Sequence, residues 1–190
     1  MKLIYGIGYN SKCKYKSTDG NKISKQYDIW RSMLQRCYSH GFQIKNPSYK
    51  GCSVSSQWHN YQDFAQWFNE HDYSDMGYQL DKDILLPNNK IYSPQTCCFI
   101  PRDLNVLFTS RAAASGIYPQ GVHLHKQSNK YKAQISIDGK VKHLGLFHCA
   151  DEAYQVYKKA KETYVKEKTL EWKDRIANDV FEALMQWELR

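Results

Sequence analysis

The sequence predicts an α+β protein with two domains of different architecture. Apolar residues recur at helical spacing through much of the first half, whereas apolar and polar residues alternate after Gly116. The 190 residues suffice for two small domains, and 42% hydrophobic and 14% aromatic residues suffice for a core. A run of small residues at 109–115 separates the two patterns, so we place the domain boundary there.

The two patterns and their flanks divide the chain into five expected segments. The first domain covers 27–108, the linker 109–115 and the second domain 116–166. A basic N-terminal arm precedes them at 1–26, and a C-terminal helix follows at 167–190. Each domain therefore has its own pattern.

The charge balance favours an anionic partner. The formal net charge is +8, and nucleic acid is the commonest partner of such a protein. A basic surface that is merely solvated is the alternative. In the arm at 1–26 six lysines stand against one acid, Asp19. This segment is therefore either a contact to a phosphate backbone or a solvated terminus.

Cysteine usage and hydropathy predict a cytoplasmic protein. The six cysteines include no Cys-x-x-Cys pair, and no apolar run approaches the length of a membrane span. The first residues are too polar for a signal peptide. We therefore expect free thiols and no membrane partner. Cys37, His40 and Cys52 could form a zinc site, but packed or incidental cysteines explain them more simply, so zinc is not expected.

Two amphipathic helices are predicted in the first domain, at 27–37 and 58–68. Their apolar sides are rich in aromatic residues, which we expect to form a core rather than a surface for stacking bases. Arg31 and Arg36 lie away from the apolar side of the first helix. They are either phosphate contacts or solvated residues.

The stretch 80–105 is predicted to form a β-β-α unit. Asp81 and Asp83 stand at the start of a short apolar strand, two turns and a second apolar run follow, and Pro101 suits the first turn of a helix. That helix would carry Asn105. Oxygen ligands on two rigid elements are what a hard divalent cation needs, so Asp81 and Asn105 are candidate metal ligands.

The same stretch resembles the core of phage HNH endonucleases. The residues that carry the resemblance are Leu80-Asp81-x-Asp83, Asn89-x-x-Tyr92-Ser93-Pro94-x-x-Cys97 and Asn105. Residues ahead of them extend it over about 27–108. The resemblance implies a ββα-metal fold and a metal-dependent endonuclease or nickase, in which Asp81 and Asn105 bind Mg²⁺ or another divalent cation.

Lys82 stands where the HNH family has the histidine that acts as general base. A lysine could take that role only if its pKa fell by about three units from about 10.4. Alternatively, Asp83 orients or deprotonates the water, or Lys82 contacts phosphate and catalysis is slow or lost. A core kept as a scaffold without chemistry is also open. The candidate catalytic residues are Asp81, Lys82 and Asp83.

The second domain is predicted to be a three-stranded antiparallel sheet with a packed helix. Alternating segments at 121–126, 131–137 and 141–147 form the strands, and Asp138-Gly139 is a hairpin turn. The helix after them has alanines and tyrosines on one side, and the small alanines allow it to lie close to the sheet.

This arrangement resembles the AP2 type of DNA-binding domain found in phages. The matching residues are Gly121-Val122, Tyr131-x-Ala133-x-Ile135, His143-Leu144-Gly145-x-Phe147 and Glu152-Ala153-x-x-x-Tyr157. The resemblance implies a sheet that lies in the major groove of double-stranded DNA.

Alternation sends Lys132, Gln134 and Ser136 away from the helix, alongside the histidines at 123, 125 and 143. The five lysines between Gln120 and His148 are expected to contact phosphates, Gln134 to contact adenine, and the histidines to meet base edges. An ordinary solvated sheet face is the alternative. The candidate DNA-binding residues are His123, His125, Lys126, Lys130, Lys132, Gln134, Ser136, Lys140, Lys142 and His143.

Helical periodicity continues to the C-terminus, with no Gly or Pro after Gly145. We expect a break at 166–169 with Thr169 as the cap of the last helix. Trp172 and Trp187 of that helix need a cover. The helix therefore either folds back on its own chain or pairs with a second copy, which would give a homodimer.

The expected function is binding and metal-dependent hydrolysis of DNA by a phage-type HNH endonuclease or nickase, with site recognition by an AP2-like sheet. A catalytically inactive DNA-binding regulator is one alternative. A phage protein that inhibits a host nucleic-acid enzyme by direct binding is another. If the chain is phage-encoded, its compartment would be the cytoplasm of the bacterial host.

Overall fold

The structure, a computed structural model, describes residues 3–71, 77–108 and 117–189. It is a mixed α+β protein with small sheets, as the sequence predicted. Contacts divide it into two compact units, Met1–Arg102 and Asp103–Arg190. In the described ranges, none of the helices combines the length and the apolar composition needed to cross a bilayer.

Three helices organise the first unit: α1 at Lys25–Tyr38, α2 at His40–Lys45 and α3 at Tyr61–Glu70. Polar side chains cap them at their start. The hydroxyl of Ser24 accepts from the backbone N–H of Tyr27, and the side chain of Asn60 caps α3 in the same way. The two predicted amphipathic helices are confirmed as α1 and α3.

Aromatic side chains fill the core of the first unit, as the sequence predicted. Trp30 of α1 is fully buried and its indole N–H donates to the carbonyl of Trp58 at 2.8 Å. Trp58 packs edge-on against Phe64 of α3, with ring centroids 5.1 Å apart. These rings have well-defined partners within the protein, so they are not a surface for stacking bases.

Residues 8–15 are docked on α1 and α3 rather than extended as an arm. The buried side chain of Gln62 accepts from the backbone N–H groups of Lys14 and Tyr15, both at 2.8 Å. Its amide group donates to Asn10 at 2.7 Å and to the carbonyl of Tyr15 at 2.9 Å. Gly8 approaches α1 so closely that a Cβ there would lie 2.3 Å from Leu34.

Short strands complete the first unit. A hairpin is formed by β1 at Thr18–Asp19 and β2 at Lys22–Ile23. Strand β3 at Ser53–Val54 pairs in parallel with β5 at Ile91–Tyr92.

The strands of the predicted β-β-α unit pair with each other. Strand β4 at Tyr78–Asp81 is antiparallel to β6 at Cys98–Pro101, and Asp81 lies opposite Cys98. Helix α4 at Arg102–Phe108 follows β6 directly. The order strand, strand, helix is as predicted, but the position of the first strand is not. Asp81 ends β4 instead of standing at the start of an apolar strand, and residues 82–88 form bends and a turn. Strand β5 lies between the two strands in the chain and pairs with β3.

The contacts of α4 place it with the second unit, whereas the sequence placed it in the first domain and the boundary at 109–115. Leu107 packs against a cluster made by Ile135, Tyr157 and Tyr164. The unit boundary lies between Arg102 and Asp103. The predicted linker lies outside the described residues.

The second unit contains the predicted antiparallel sheet, ordered β7-β8-β9. Its strands are β7 at Val122–His125, β8 at Lys130–Ile137 and β9 at Lys140–Phe147. Helix α5 at Ala150–Glu171 packs on one face of the sheet. Gly121, before β7, has a φ of +79° and lies against Tyr157 of α5, where a Cβ would be 2.1 Å from the ring. Glycine is needed there on both counts.

The break predicted at 166–169 is wrong, because α5 is continuous to Glu171. Thr169 is fully buried, and its hydroxyl donates back to the carbonyl of Val165 at 2.8 Å, so it is not a cap. A 3₁₀ turn at Lys173–Arg175 leads to helix α6 at Asn178–Met185.

Helix α6 folds back on its own chain, which is one of the two predicted alternatives. Val180 and Leu184 of α6 are buried, and α6 contacts α5. The backbone N–H of Leu189 donates to Glu162 at 3.0 Å, and Trp187 packs edge-on against Phe108 of α4. The apolar side of α6 is therefore covered within one chain.

Candidate nucleic-acid interface

The strand register defines which side chains lie on the face of the sheet away from α5. Residues directly opposite in an antiparallel pair point to the same face. Val122 lies opposite Ala133, and both are buried toward α5. The neighbouring pair, His123 and Lys132, therefore points outward. The outward residues, together called the outer face, are His123, His125, Lys130, Lys132, Gln134, Ser136, Val141, His143 and Leu146.

Two of the predicted DNA-binding lysines do not belong to the outer face. Lys140 lies opposite Ile137 and Lys142 opposite Ile135. Ile135 is buried toward α5, so Lys140 and Lys142 are on the helix side of the sheet, at its exposed edge. The sequence predicted phosphate contacts for both lysines, and this register places them on the face of the sheet opposite to that of Lys132. Lys126, in the turn after β7, is exposed.

A bulge in β9 changes which residues point outward. The register shifts between Ala133 and Gln134, so that Gln134 pairs with His143 and Ala133 pairs with Gly145. The extra residue, Leu144, packs on the apolar clusters under the sheet. Beyond the bulge, Leu146 points outward and lies opposite Lys132.

Two aliphatic side chains that the sequence did not single out are exposed on the outer face. Val141 is 69% exposed and Leu146 is 40% exposed. They lie opposite Ser136 and Lys132, among polar and basic neighbours. An aliphatic group in such a setting can contact the methyl group of thymine.

The tip of the β8–β9 hairpin is fixed to α5 through Asp138. The hydroxyl of Tyr164 donates to the Asp138 carboxylate at 3.0 Å, and the ammonium group of Lys168 lies 3.1 Å from it. Lys168, and then Tyr164, hold the pKa of Asp138 below its ordinary value. Asp138 is the one acid between Gln120 and His148, against five lysines, which leaves a local net charge of +4.

Lys82, the candidate base, is a buried and paired ammonium group. It is 6% exposed, and it donates to the carboxylate of Asp83 at 2.6 Å and to the carbonyl of Asn89 at 2.7 Å. The ring of Tyr92 lies 5.9 Å away. The amide of Asn89 in turn donates to the carbonyl of Lys82 at 2.9 Å. Lys82 therefore holds the loop after β4 in place through its two donated hydrogen bonds.

Asp81 uses one carboxylate oxygen within its own loop. Its Oδ1 accepts from the backbone N–H of Asp83 at 2.7 Å and of Ile84 at 2.9 Å. Burial raises the pKa of Asp81, and these two hydrogen bonds oppose the rise. The carboxylate thus stabilises the turn that follows β4.

The predicted metal ligands are divided between the two units. Asp81 belongs to the first unit and Asn105 to the second. Among residues 3–71, 77–108 and 117–189, no three His, Cys, Asp or Glu side chains form a group able to hold a metal ion. Asp81 alone offers one carboxylate, whose Oδ1 is engaged in the turn, whereas Mg²⁺ is bound through one or two carboxylates together with waters and substrate phosphates.

The candidate zinc residues have different environments. Cys37 and Cys52 are buried, whereas His40 is exposed at the start of α2. Burial, and then Cys52, raises the pKa of the Cys37 thiol to about 12. Cys37 therefore packs as a neutral thiol in the described structure.

One shallow cavity of about 210 Å³ lies beside α3. Its polar lining includes the carboxylates of Asp63 and Glu70 and the amides of Gln57 and Gln66. Two carboxylates repel a phosphate, so this cavity is unsuited to nucleic acid.

No protein-family model matches the chain, nor does any curated protein or solved structure.

Proposed function

We propose that this protein binds double-stranded DNA through the outer face of the β7–β9 sheet. The observation that carries the proposal is the composition of that face. It combines lysines and histidines with Gln134 and two exposed aliphatic side chains, on the side of the sheet opposite α5. Strands that present such side chains can enter a groove of the duplex.

The lysines, the amide and the aliphatic side chains of the outer face have different roles in this proposal. Lys130 and Lys132, with Lys126 in the adjacent turn, contact phosphates and supply affinity that does not depend on sequence. The amide of Gln134 is able to bond to the N6 and N7 edge of adenine, and Val141 and Leu146 contact thymine methyl groups. The pinned hairpin tip keeps β8 and β9 in one arrangement, so less conformational freedom is lost on binding.

The AP2-like motif supports this use of the sheet. A three-stranded antiparallel sheet with one packed helix is the arrangement that the motif implies, and the second unit has it. The ββα-metal fold of the HNH resemblance is supported only by the order of β4, β6 and α4.

The proposal is binding without cleavage. Lys82 is occupied as a hydrogen-bond donor, and Asp81 accepts two backbone hydrogen bonds in its own turn. The regulator alternative therefore fits the first unit better than the nuclease does.

Fluorescence anisotropy with labelled duplex DNA tests the proposal. We expect binding whose log K falls linearly with log salt concentration, as phosphate contacts require. Supercoiled plasmid incubated with the protein and Mg²⁺ should stay intact. Nicking that disappears in Asp81→Ala would contradict binding without cleavage. A protein that binds no duplex at low salt would contradict the proposal as a whole and favour inhibition of a protein partner.

A further inference from the structure

A second basic surface lies in the first unit, around the 3₁₀ turn at Pro47–Tyr49. The ammonium group of Lys90 donates to the carbonyl of Ser48 at 3.0 Å, and the guanidinium of Arg36 lies 5.7 Å from the ring centroid of Tyr49. Two more cations, Lys45 and Lys50, flank the turn. The surface, called the turn patch, consists of Arg36, Lys45, Lys50 and Lys90.

The turn patch has no acidic residues in the segments that build it. No Asp or Glu occurs between Ile29 and Gln62, or between Ile84 and Arg102. Asp83, just before the second segment, is bonded to Lys82. None of the salt bridges in the described part of the chain includes a residue of the turn patch. Its four positive charges are therefore left for an external anion.

Arg36 is the member of the patch whose setting is most specific. Burial pulls the pKa of its guanidinium down, but Tyr92 and Tyr49 more than offset this and the pKa lies above its ordinary value. Its neighbours are a phenol and an aromatic ring rather than a carboxylate. A half-buried guanidinium without an anionic partner retains donors of the geometry that matches a phosphate.

The platform under the patch is held together by Gln43. Its side-chain amide donates to the carbonyl of Cys37 at 2.7 Å, of Arg36 at 3.1 Å and of Tyr49 at 3.3 Å. The end of α1 and the 3₁₀ turn are thus tied to one side chain of α2. The cations project from a fixed base, which lowers the entropic cost of binding.

We infer that the turn patch contacts phosphates of the bound duplex, as a second and sequence-independent site on the first unit. This inference rests on the proposed function for its ligand, but it concerns different residues in a different unit. The patch adds affinity and salt dependence, whereas the outer face of the sheet adds the preference for particular bases.

Lysine acetylation of the full chain, with and without duplex DNA, tests this directly. Mass spectrometry follows the acetylation rates of Lys50 and Lys90 in the patch, of Lys130 and Lys132 on the sheet, and of exposed Lys159 on α5 as reference. We expect the patch and sheet lysines to react severalfold more slowly in the complex, and the reference to be unchanged.

The pattern of protection separates the two proposals. Protection of the sheet alone overturns the inference and leaves the proposed function standing. Protection of the patch alone supports the inference and overturns the assignment of the sheet. Protection of neither set of lysines overturns both proposals. Protection of the patch lysines by anionic lipid vesicles but not by DNA overturns the inference.

A triple variant provides a second measurement. In Lys45→Gln with Lys50→Gln and Lys90→Gln, the slope of log K against log salt should become shallower by about two to three. The ratio of affinities for two different duplex sequences should not change. An unchanged slope in a variant with wild-type circular dichroism would overturn the inference.

Discussion

The hydroxyl of Tyr164 makes two hydrogen bonds with Asp138 at the tip of the β8–β9 hairpin. It donates to the carboxylate at 3.0 Å and accepts from the Asp138 backbone N–H at 3.2 Å. Asp138 has a φ of +47°, a conformation that Asp tolerates better than most residues. One buried side chain of α5 thus fixes the turn that sets the register of the two strands carrying most of the outer face.

Tyr164→Phe removes both bonds and should loosen the hairpin tip. We expect amide hydrogen exchange at the β8–β9 turn to become roughly fivefold to tenfold faster, the factor that corresponds to hydrogen bonds of ordinary strength. Tyr154→Phe, at a half-buried tyrosine of the same helix, is the matched control. Equal exchange rates in the two variants would show that the Tyr164 bonds do not hold the tip.

The Asp138 carboxylate should make stability fall at low pH. Because Lys168 and Tyr164 lower its pKa in the folded protein, folding is favoured by the ionised form. This contribution is present above the ordinary carboxyl pKa of about 3.9 and is lost as the pH falls below it toward the folded value. Urea midpoints measured from about pH 6 to about pH 3 should decline less in Asp138→Asn than in the wild type.

The control for this pH dependence is Asp174→Asn, at an exposed carboxylate of the 3₁₀ turn after α5. The urea midpoint of this variant should decline with falling pH in parallel with that of the wild type. Lys168 also bonds to Glu171, so Glu171→Gln should be measured beside it. Identical curves for wild type and Asp138→Asn would refute the prediction.

Lys82→Met should destabilise the first unit rather than abolish a reaction. The substitution leaves the carbonyl of Asn89 without its 2.7 Å donor and Asp83 without its partner. A loss of roughly 1–3 kcal/mol in the free energy of unfolding is expected for such a site. Lys50→Met, at an exposed lysine, should change stability little. A Lys82→Met protein as stable as wild type would show that the buried ammonium group is not structural.

Gln62→Ala should release the N-terminal segment from α3. Two backbone N–H groups lose their acceptor, and Asn10 loses its partner. Trypsin should then cleave after Lys14 and Lys16 several times faster than in the wild type. Gln66→Ala, which removes a side chain that donates to Glu70 at the surface of the same helix, is the control. Equal cleavage rates would mean that Gln62 does not anchor the segment.

The faces of β8 were predictable from the sequence because strict alternation needs no tertiary information. The same alternation also places Lys142, next to outward His143, on the helix side of the sheet. The outward position of Leu146 was not predictable in this way. It depends on the bulge at Leu144, after which the inward and outward positions of β9 are exchanged.

Two other differences arise because long-range contacts override local patterns. Thr169 has the side chain of a helix cap, but burial against the rest of the second unit lets α5 continue through it. A lysine-rich N-terminal segment suggests a solvated arm, yet Gln62, distant in the sequence, supplies its hydrogen bonds. Likewise, nothing local to Lys82 shows that the carbonyl of Asn89 will accept a hydrogen bond from its side chain.

The most direct test of the central claim compares two lysines on opposite faces of one sheet. Lys132 lies on the outer face opposite Leu146, and Lys142 lies on the helix side opposite Ile135. Each is replaced by alanine, so each variant loses one charge, and duplex affinity is measured across a range of salt concentrations. Lys132→Ala should weaken binding and reduce the slope of log K against log salt by about one, whereas Lys142→Ala should change both far less. Equal losses in the two variants, or a larger loss in Lys142→Ala, would contradict binding through the outer face.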